Sequence, residues 1–309
     1  MTLTVGSRAS ALAKAQVREV LTQWRPAFPD VTFRQRVILE GGDRDRRTST
    51  LAAVAKTSGG SAFSTNQEAA LAAGEVDVIV HSLKDLPTAM APGLTLLPCP
   101  GPRADVRDVL CGATLADLPD GARIGTGAPR RIAQLLVLRP DVEVLPIRGN
   151  VPGRLARARS RGGSLDAVVL AAAGLHRLHL DSEISQYLDP ETYPPSPGQG
   201  ALGIQVRTGS EAARVLADIG TPEVDAAVRA ERALLADLHG GCSVPVGTYT
   251  SLTPTGHLRL RAAVTSLDGE RQVTGVGSGP LDEPEKLGRA VAADLLRQGA
   301  GDILAAIRL

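Results

Sequence analysis

Apolar residues recur along this chain with two alternating periods. Residues 2–6 (TLTVG) read as a short strand. After it Ala13, Val17, Val20, Leu21 and Trp24 return every three or four positions, which predicts a helix with one buried stripe. Ser7 or Ser10 stands where its N-cap belongs. In residues 31–39, Val31, Phe33, Val37 and Leu39 fall on one face at period two, a strand pattern. Thr65 and Glu68 fit a capping box that opens a helix through Ala73. Val76 to Val80 (VDVIV) is nearly continuous in apolar residues, as in a sheet covered on both faces.

The alternation continues. Ala122–Gly125, Val142–Ile147 and Ala167–Ala171 read as strands, and helices are expected after Pro129, from Val151 and after Ala171. Strands alternating with helices predict α/β units with largely parallel sheets. The segment YPPSPGQGALG (193–203) is rich in proline and glycine and reads as a crossing between domains. Glu223–His239 is helical in pattern. Beyond Gly241 the character changes: Ser243–Ser251, His257–Ser266 and Arg271–Gly277 read as strands, and Glu283–Gln298 as a helix. That is a small α+β unit.

Composition narrows the class. The chain has 309 residues, 43% hydrophobic and 22% charged, the profile of a globular protein large enough for two or three domains. It contains no run of 18 apolar residues, and its start lacks a basic-then-apolar leader, so a cytoplasmic location away from membranes is expected. The net charge of +1 and 2% aromatic content offer neither a basic face nor stacking platforms for nucleic acid. Of the basic residues only Lys14, Lys56, Lys84 and Lys286 are lysines. A GC-rich genome would produce that bias, and so would arginines chosen for their fit to carboxylates.

Position separates those two explanations. Arg8 (in GSRAS), Arg130 and Arg131 (GTGAPRR), Arg148 (IRGN), Arg154 and Arg177 all follow predicted strands. In open α/β sheets ligands bind beyond the carboxyl ends of the strands, where helix N-termini add free N–H groups. Arginines converging there would take several carboxylates. GTGAPRR lacks the pattern of a nucleotide phosphate loop. Asp85, in HSLKDLP (81–87), stands at a strand end; it either handles a cation or a proton, or pairs with Lys84 or an arginine to shape a turn. His81 reads as a structural hydrogen-bonding residue. Cys99 and Cys111 read as small buried hydrophobes. Cys242, in HGGCSVPVG, lies instead among glycines, which marks an exposed thiol suited to attachment. No metal site is indicated.

These segments occur together, in this order, in the porphobilinogen deaminase (hydroxymethylbilane synthase) family, which the chain resembles over nearly its whole length. The resemblance rests on GSRASALAKAQ (6–16), VIVHSLKDLPT (78–88), the GT-x-x-x-RR run (125–131), IRGNV (147–151), DAVVLAAAGLHRL (166–178), PGQGALGI (197–204), AERALLADLHGGCSVPVG (230–247) and RAAV (261–264). It implies two periplasmic-binding-protein-like α/β domains with a cleft between them, plus a small C-terminal α+β domain. The implied boundaries are 1–97 with 198–218, 98–197, and 219–309. It implies a monomeric transferase that condenses four porphobilinogen molecules and releases ammonia, with no nucleic-acid or membrane partner.

It also implies a dipyrromethane cofactor held by a thioether to Cys242, and Asp85 as the catalytic carboxylate. The acid-binding set would be Arg8, Arg130, Arg131, Arg148, Arg154 and Arg177, supported by Ser10, Gln16, Ser82, Lys84, Thr126, Gly149 and Gln199. Phe63 would belong to a mobile loop. Three stretches depart from the family's usual pattern. GTGAPRR replaces GTSSLRR, with Gly127 and Ala128 in place of two hydroxyl residues. Residues 59–66 (GGSAFSTN) replace GGKGLF-x-KE, and NVPGR replaces NV-x-TR. A receptor for an organic acid, without chemistry, is the competing reading; it would use the same arginines but leave Cys242 without a role.

Overall fold

The computed structural model describes residues 1–39, 65–159, 164–238 and 244–308. Three sheets organise them. The first takes β1 (Thr2–Arg8), β2 (Thr32–Ile38), β3 (Val78–Ser82), β4 (Leu94–Leu97) and β10 (Leu202–Arg207) in the order β2-β1-β3-β10-β4. The second takes β5 (Asp108–Cys111), β6 (Arg123–Gly125), β7 (Glu143–Leu145), β8 (Ala167–Ala171) and β9 (Gln186–Tyr187) in the order β7-β6-β8-β5-β9. The third is the antiparallel sheet β11 (Val246–Leu252), β12 (Leu258–Thr265) and β13 (Gln272–Gly279).

The two five-stranded sheets share one plan. In each, three strands run parallel, and a strand from elsewhere in the chain is inserted antiparallel beside the third. The inserted strands, β10 and β5, also pair antiparallel with the outer strands β4 and β9. The outer strands therefore run with the first three, so four of the five strands in each sheet point the same way, as the largely parallel arrangement expected from the sequence requires; the departure is the one inserted strand. An apolar run reports burial on two faces and carries no information about strand direction. Burial also accounts for the β10 strand passing unread: Gln205 interrupts its apolar run although it is fully buried.

Helix α1 (Ala11–Ala27) packs on the first sheet. Ser10 is its N-cap, the hydroxyl accepting from Ala13 N at 3.2 Å. Val17, Val20, Leu21 and Trp24 lie against Leu3, Val5, Val78, Val80 and Ile204. The face foreseen for β2 is largely open: Phe33 is buried, but Val37 and Leu39 are 43% and 51% exposed. β2 is the edge of its sheet, and Phe33 is its one buried side chain.

The remaining helices are α2 (Thr65–Ala72), α3 (Pro129–Leu138), α4 (Val151–Arg159), α5 (Ala172–Arg177), α6 (Glu211–Val215), α7 (Pro222–Asp237), α8 (Pro284–Arg297) and α9 (Ala300–Arg308). The last three cover one face of the antiparallel sheet, and α9 has no counterpart in the sequence reading. His81, in β3, is buried, and its Nε2 lies 3.0 Å from Gln205 Oε1. Burial lowers its pKa to about 4, so it stays neutral and structural near neutral pH. Cys99 and Cys111 are buried as expected, and burial pushes the Cys99 thiol up to about 12.

Helices α7 and α8 meet backbone to backbone. A Cβ added at Gly288 would lie 2.2 Å from Ala230 O and 2.9 Å from Ala233 Cβ. Gly288→Ala must push the helices apart, so it is expected to lower stability by about 2 kcal/mol or more, measured by urea unfolding.

Candidate active site between the two mixed sheets

The first wall of the site is built on the ends of β1 and β3. β1 ends at Arg8. β3 ends at Ser82 and runs into a 3-10 turn, Leu83–Asp85. Leu83 anchors that turn: it is 1% exposed, its N–H donates to Ala201 O at 3.1 Å, and its carbonyl accepts from Leu86 N at 3.1 Å. Lys84 and Asp85 remain half-buried. Ser82 Oγ accepts from Gln16 Nε2 at 2.6 Å, and Lys84 Nζ donates to Gln199 Oε1 at 3.0 Å.

The second wall begins at β6. Thr126 is fully buried and continues the β6–β7 pairing, donating its N–H to Leu145 O at 3.0 Å and accepting from Ile147 N at 3.3 Å. The next residue has to be small, because a Cβ on Gly127 would stand 2.7 Å from Ile147 O. Helix α3 then opens at Pro129 and carries Arg130 and Arg131 inward. Both are buried, and both are gripped by Asp108 of β5, which is itself fully buried. Arg130 Nη2 donates to Asp108 Oδ2 at 2.6 Å and Nη1 to Pro194 O at 2.9 Å. Arg131 Nε and Nη2 donate to Asp108 Oδ1 at 3.1 and 2.7 Å, and Nη1 to Val169 O at 3.1 Å. Gln199 Nε2 completes the cluster, donating to Asp108 Oδ1 at 2.9 Å and Val106 O at 2.7 Å.

Past β7, Arg148 is half-buried and Gly149 turns the chain at φ +116°. Asn150 Oδ1 accepts from Gly153 N at 2.9 Å at the start of α4. Arg154, on the first turn of α4, donates Nε to Gly149 O at 2.9 Å.

The charges are unevenly compensated. Burial and the neighbouring Arg131 lower the Lys84 pKa to about 8, against the pull of Asp85 and Asp108. Burial and Arg131 lower Arg154 to about 10, against the pull of Asp85. Burial alone would raise the Asp108 carboxyl; the Arg130 and Arg131 guanidiniums outweigh it and hold that carboxyl well below the usual range. Asp85 therefore lies within the electrostatic reach of Lys84 on one side and Arg154 on the other. Among the described residues its carboxylate makes no hydrogen bond or ion pair.

The comparisons with known proteins bear on the whole chain. Residues 3–215 match the family described as porphobilinogen deaminase, dipyromethane cofactor binding domain, and residues 226–297 match its C-terminal domain. The chain belongs to the porphobilinogen deaminase family. The curated porphobilinogen deaminase of Roseiflexus castenholzii is 43% identical, the match covering 98% of each chain. That of Thermus thermophilus is 42% identical over 99% of each. Among solved structures, the periplasmic aliphatic sulphonate binding protein SsuA of Escherichia coli is a distant neighbour, with a TM-score of 0.38 and 14% identity over 77% of this chain and 70% of that one. As a porphobilinogen deaminase the chain is a transferase of tetrapyrrole biosynthesis that makes hydroxymethylbilane and binds a dipyrromethane cofactor.

Within a deaminase, the expected site residues divide into two groups. Lys84, Asp85, Arg148 and Arg154 lie at the junction of the walls: the Asp85 charge acts on both Lys84 and Arg154, and Arg148 acts on Arg154. Arg8 ends β1 on the same wall as Asp85, close enough to lower the His81 pKa. Arg130, Arg131 and Gln199 form the buried clamp on Asp108 instead, Thr126 is buried in the β6–β7 pairing, and Ser10 is spent on capping α1. Arg177 reaches across to α1, where Nε and Nη2 donate to Glu19 Oε2 and Oε1 at 2.7 and 3.2 Å. Phe63 and Cys242 lie outside the described residues. The junction fits a group that carries several carboxylates: Lys84 and Arg154 are depressed by burial and by Arg131, and an arriving polyanion relieves both.

Sequence reasoning missed the carboxylates that organise the arginines: Asp108, Glu19 and Glu231. Glu231 is fully buried on α7, where it accepts from Arg103 Nη1 and Nη2 at 2.8 Å each and from Gly198 N at 2.7 Å. One signal was present. Glu231 stands beside Ala227, Ala230 and Leu234 on the buried stripe of its helix, where a carboxylate needs a partner. Asp108→Asn would leave two buried guanidiniums facing a neutral amide. It is expected to destabilise by about 3–5 kcal/mol in urea unfolding at pH 7. Because the Asp108 carboxyl is depressed in the folded state, the stabilisation it confers is present above the ordinary carboxylate range and fades as acid is added. The variant is therefore expected to lose less stability on acidification than the parent.

Proposed function

We propose that Asp85 is the catalytic carboxylate of the deaminase reaction, and that Lys84, Arg8, Arg148 and Arg154 bind the acid side chains around it. One observation carries the reading: a half-buried carboxylate in the turn after β3, without a hydrogen-bond or ion-pair partner among the described residues and flanked by cations on both walls. Porphobilinogen loses its aminomethyl nitrogen as ammonia and becomes a cation delocalised over the pyrrole ring. The Asp85 carboxylate stabilises that charge and the pyrrole N–H, and does so again when the α-proton leaves after bond formation. A preorganised group of this kind is worth about 10²–10³ in rate. The cations engage the acetate and propionate of each ring and hold the reacting carbons in register. When bound, the dipyrromethane supplies the free pyrrole α-carbon from which the chain grows.

In this reading four units are added and hydrolysis frees hydroxymethylbilane. Cys242 attaches the cofactor through a thioether. The three sheets are the cores of three domains, 1–97 with 198–218, 98–197 and 219–309, a division supported by β10 completing the first sheet from beyond the crossing. The enzyme works as a cytoplasmic monomer without nucleic acid. No helix among the described residues is long and apolar enough to cross a membrane.

Asp85→Asn is expected to lower kcat at least about 10²-fold with an unchanged unfolding midpoint; near-normal turnover would remove Asp85 from the mechanism. Purified protein is expected to weigh two pyrrole units more than its sequence, an excess lost in Cys242→Ala; a loaded variant would move the attachment point elsewhere.

Lys84 predicts a pH dependence with opposite signs for activity and stability. Its charge is lost as pH rises through about 8, so kcat/KM is expected to fall there, and Lys84→Arg to hold the rate to higher pH. Stability moves the other way. The unfolded lysine keeps its proton up to 10.5, so the unfolded state binds more protons between about 8 and 10.5 and this group's penalty on folding is relieved across that window.

A further inference from the structure

The arginines expected to bind acid groups are not all held in the same way, and the difference points to a role for Glu19. Arg130 and Arg131 are locked on a carboxylate with no exposure, Asp108. Arg177 is gripped by a carboxylate that water reaches: the Arg177 side chain is 8% exposed, but that of Glu19 is 30% exposed. Its two-pronged contact is the one a ligand carboxylate would make with a guanidinium. A second anchor, Arg177 Nη2 to Gly200 O at 3.0 Å, keeps the arginine in place if Glu19 leaves.

Glu19 also faces the right way. Leu12, Gln16 and Glu19 are spaced four and three residues apart on α1 and so share one helix face. Gln16 on that face bonds Ser82 at the end of β3, and Leu12 lies 3.6 Å from where a Cβ on Gly174 of α5 would be. The face is turned toward the junction.

We propose that Glu19 is a built-in stand-in for a substrate carboxylate, held on Arg177 until an acid side chain of the bound or growing pyrrole chain exchanges with it. This rests on the deaminase reading above and adds to it a residue that sets the affinity threshold. The exchange leaves Arg177 paired throughout and returns Glu19 to water, so no charge is stranded. A ligand without a carboxylate cannot make the exchange, so Glu19 also discriminates by charge. Asp108 cannot act in this way, because its departure would strand two buried guanidiniums.

The test is Glu19→Gln, assayed with porphobilinogen and followed by intact mass. Removing a partly exposed partner is expected to lower KM about fivefold, while kcat changes less than twofold. In an Arg177→Lys background, which lacks the fork, the same change is expected to leave KM where it was. A rigid strut would behave differently: Glu19→Gln would lower the unfolding temperature and leave KM unchanged or raised, and that result overturns the proposal. Should Glu19→Gln fail to fold, Glu19→Asp, with its carboxylate withdrawn by one methylene, is expected to lower KM in the same direction, and an unchanged or raised KM overturns the proposal there too. Mass spectrometry keeps the two levels apart. A parent enzyme that gains no pyrrole units on adding porphobilinogen refutes the deaminase reading. A parent that gains them, beside a variant with unchanged KM, refutes the role of Glu19 alone.

Discussion

The buried carboxylate of Asp108 is the contact around which the rest of the site is arranged. Two guanidiniums and an amide converge on it from two other parts of the chain: Arg130 and Arg131 from helix α3, Gln199 from the crossing segment. Burying three charges in one place is costly, and their mutual attraction offsets that cost only when the geometry satisfies every group. Here Pro194 and Val169 carbonyls take further guanidinium donors, and the other end of the Gln199 amide accepts from Lys84. One hydrogen-bonded chain thus runs from the clamp in the second sheet to the turn that carries Asp85 in the first.

Glu231 repeats the device at the third unit. Its carboxylate holds Arg103 and the Gly198 N–H, and Arg103 Nε also donates to Gln199 O. Gln199 is therefore flanked by two buried ion-pair clusters, one on each side of the crossing. Pairs of this kind contribute little net stability compared with apolar packing, but they tolerate few alternative geometries. They suit a site whose acid-binding groups stand on separate sheets and must keep a common register.

The arginines consequently serve two purposes. Those that meet buried carboxylates act as structure, and through their field they depress the cations that face the junction. Those at the junction are the ones proposed to bind the acid side chains of the pyrrole chain. Arg131 joins the two roles: it is fixed by Asp108, yet it is the largest charge acting against both Lys84 and Arg154.

Much of this was legible in the sequence. Strand and helix periods located most elements, the character change after Gly241 located the third unit, and arginines after strands pointed to the candidate site. Those features are local, because periodicity and turn chemistry act over a few residues. The reversal of the inserted strands β10 and β5 was not legible, since a buried strand shows the same apolar run whichever way it points. Nor was the division of labour among the arginines. Arg131 and Arg154 look alike in sequence, and only the fold sets Asp108 against one and leaves the other near Asp85. The sequence by itself determined which residue types reach the junction. The tertiary structure decided which of them are already neutralised there, because the energy of a charge depends on partners and water that come from distant parts of the chain.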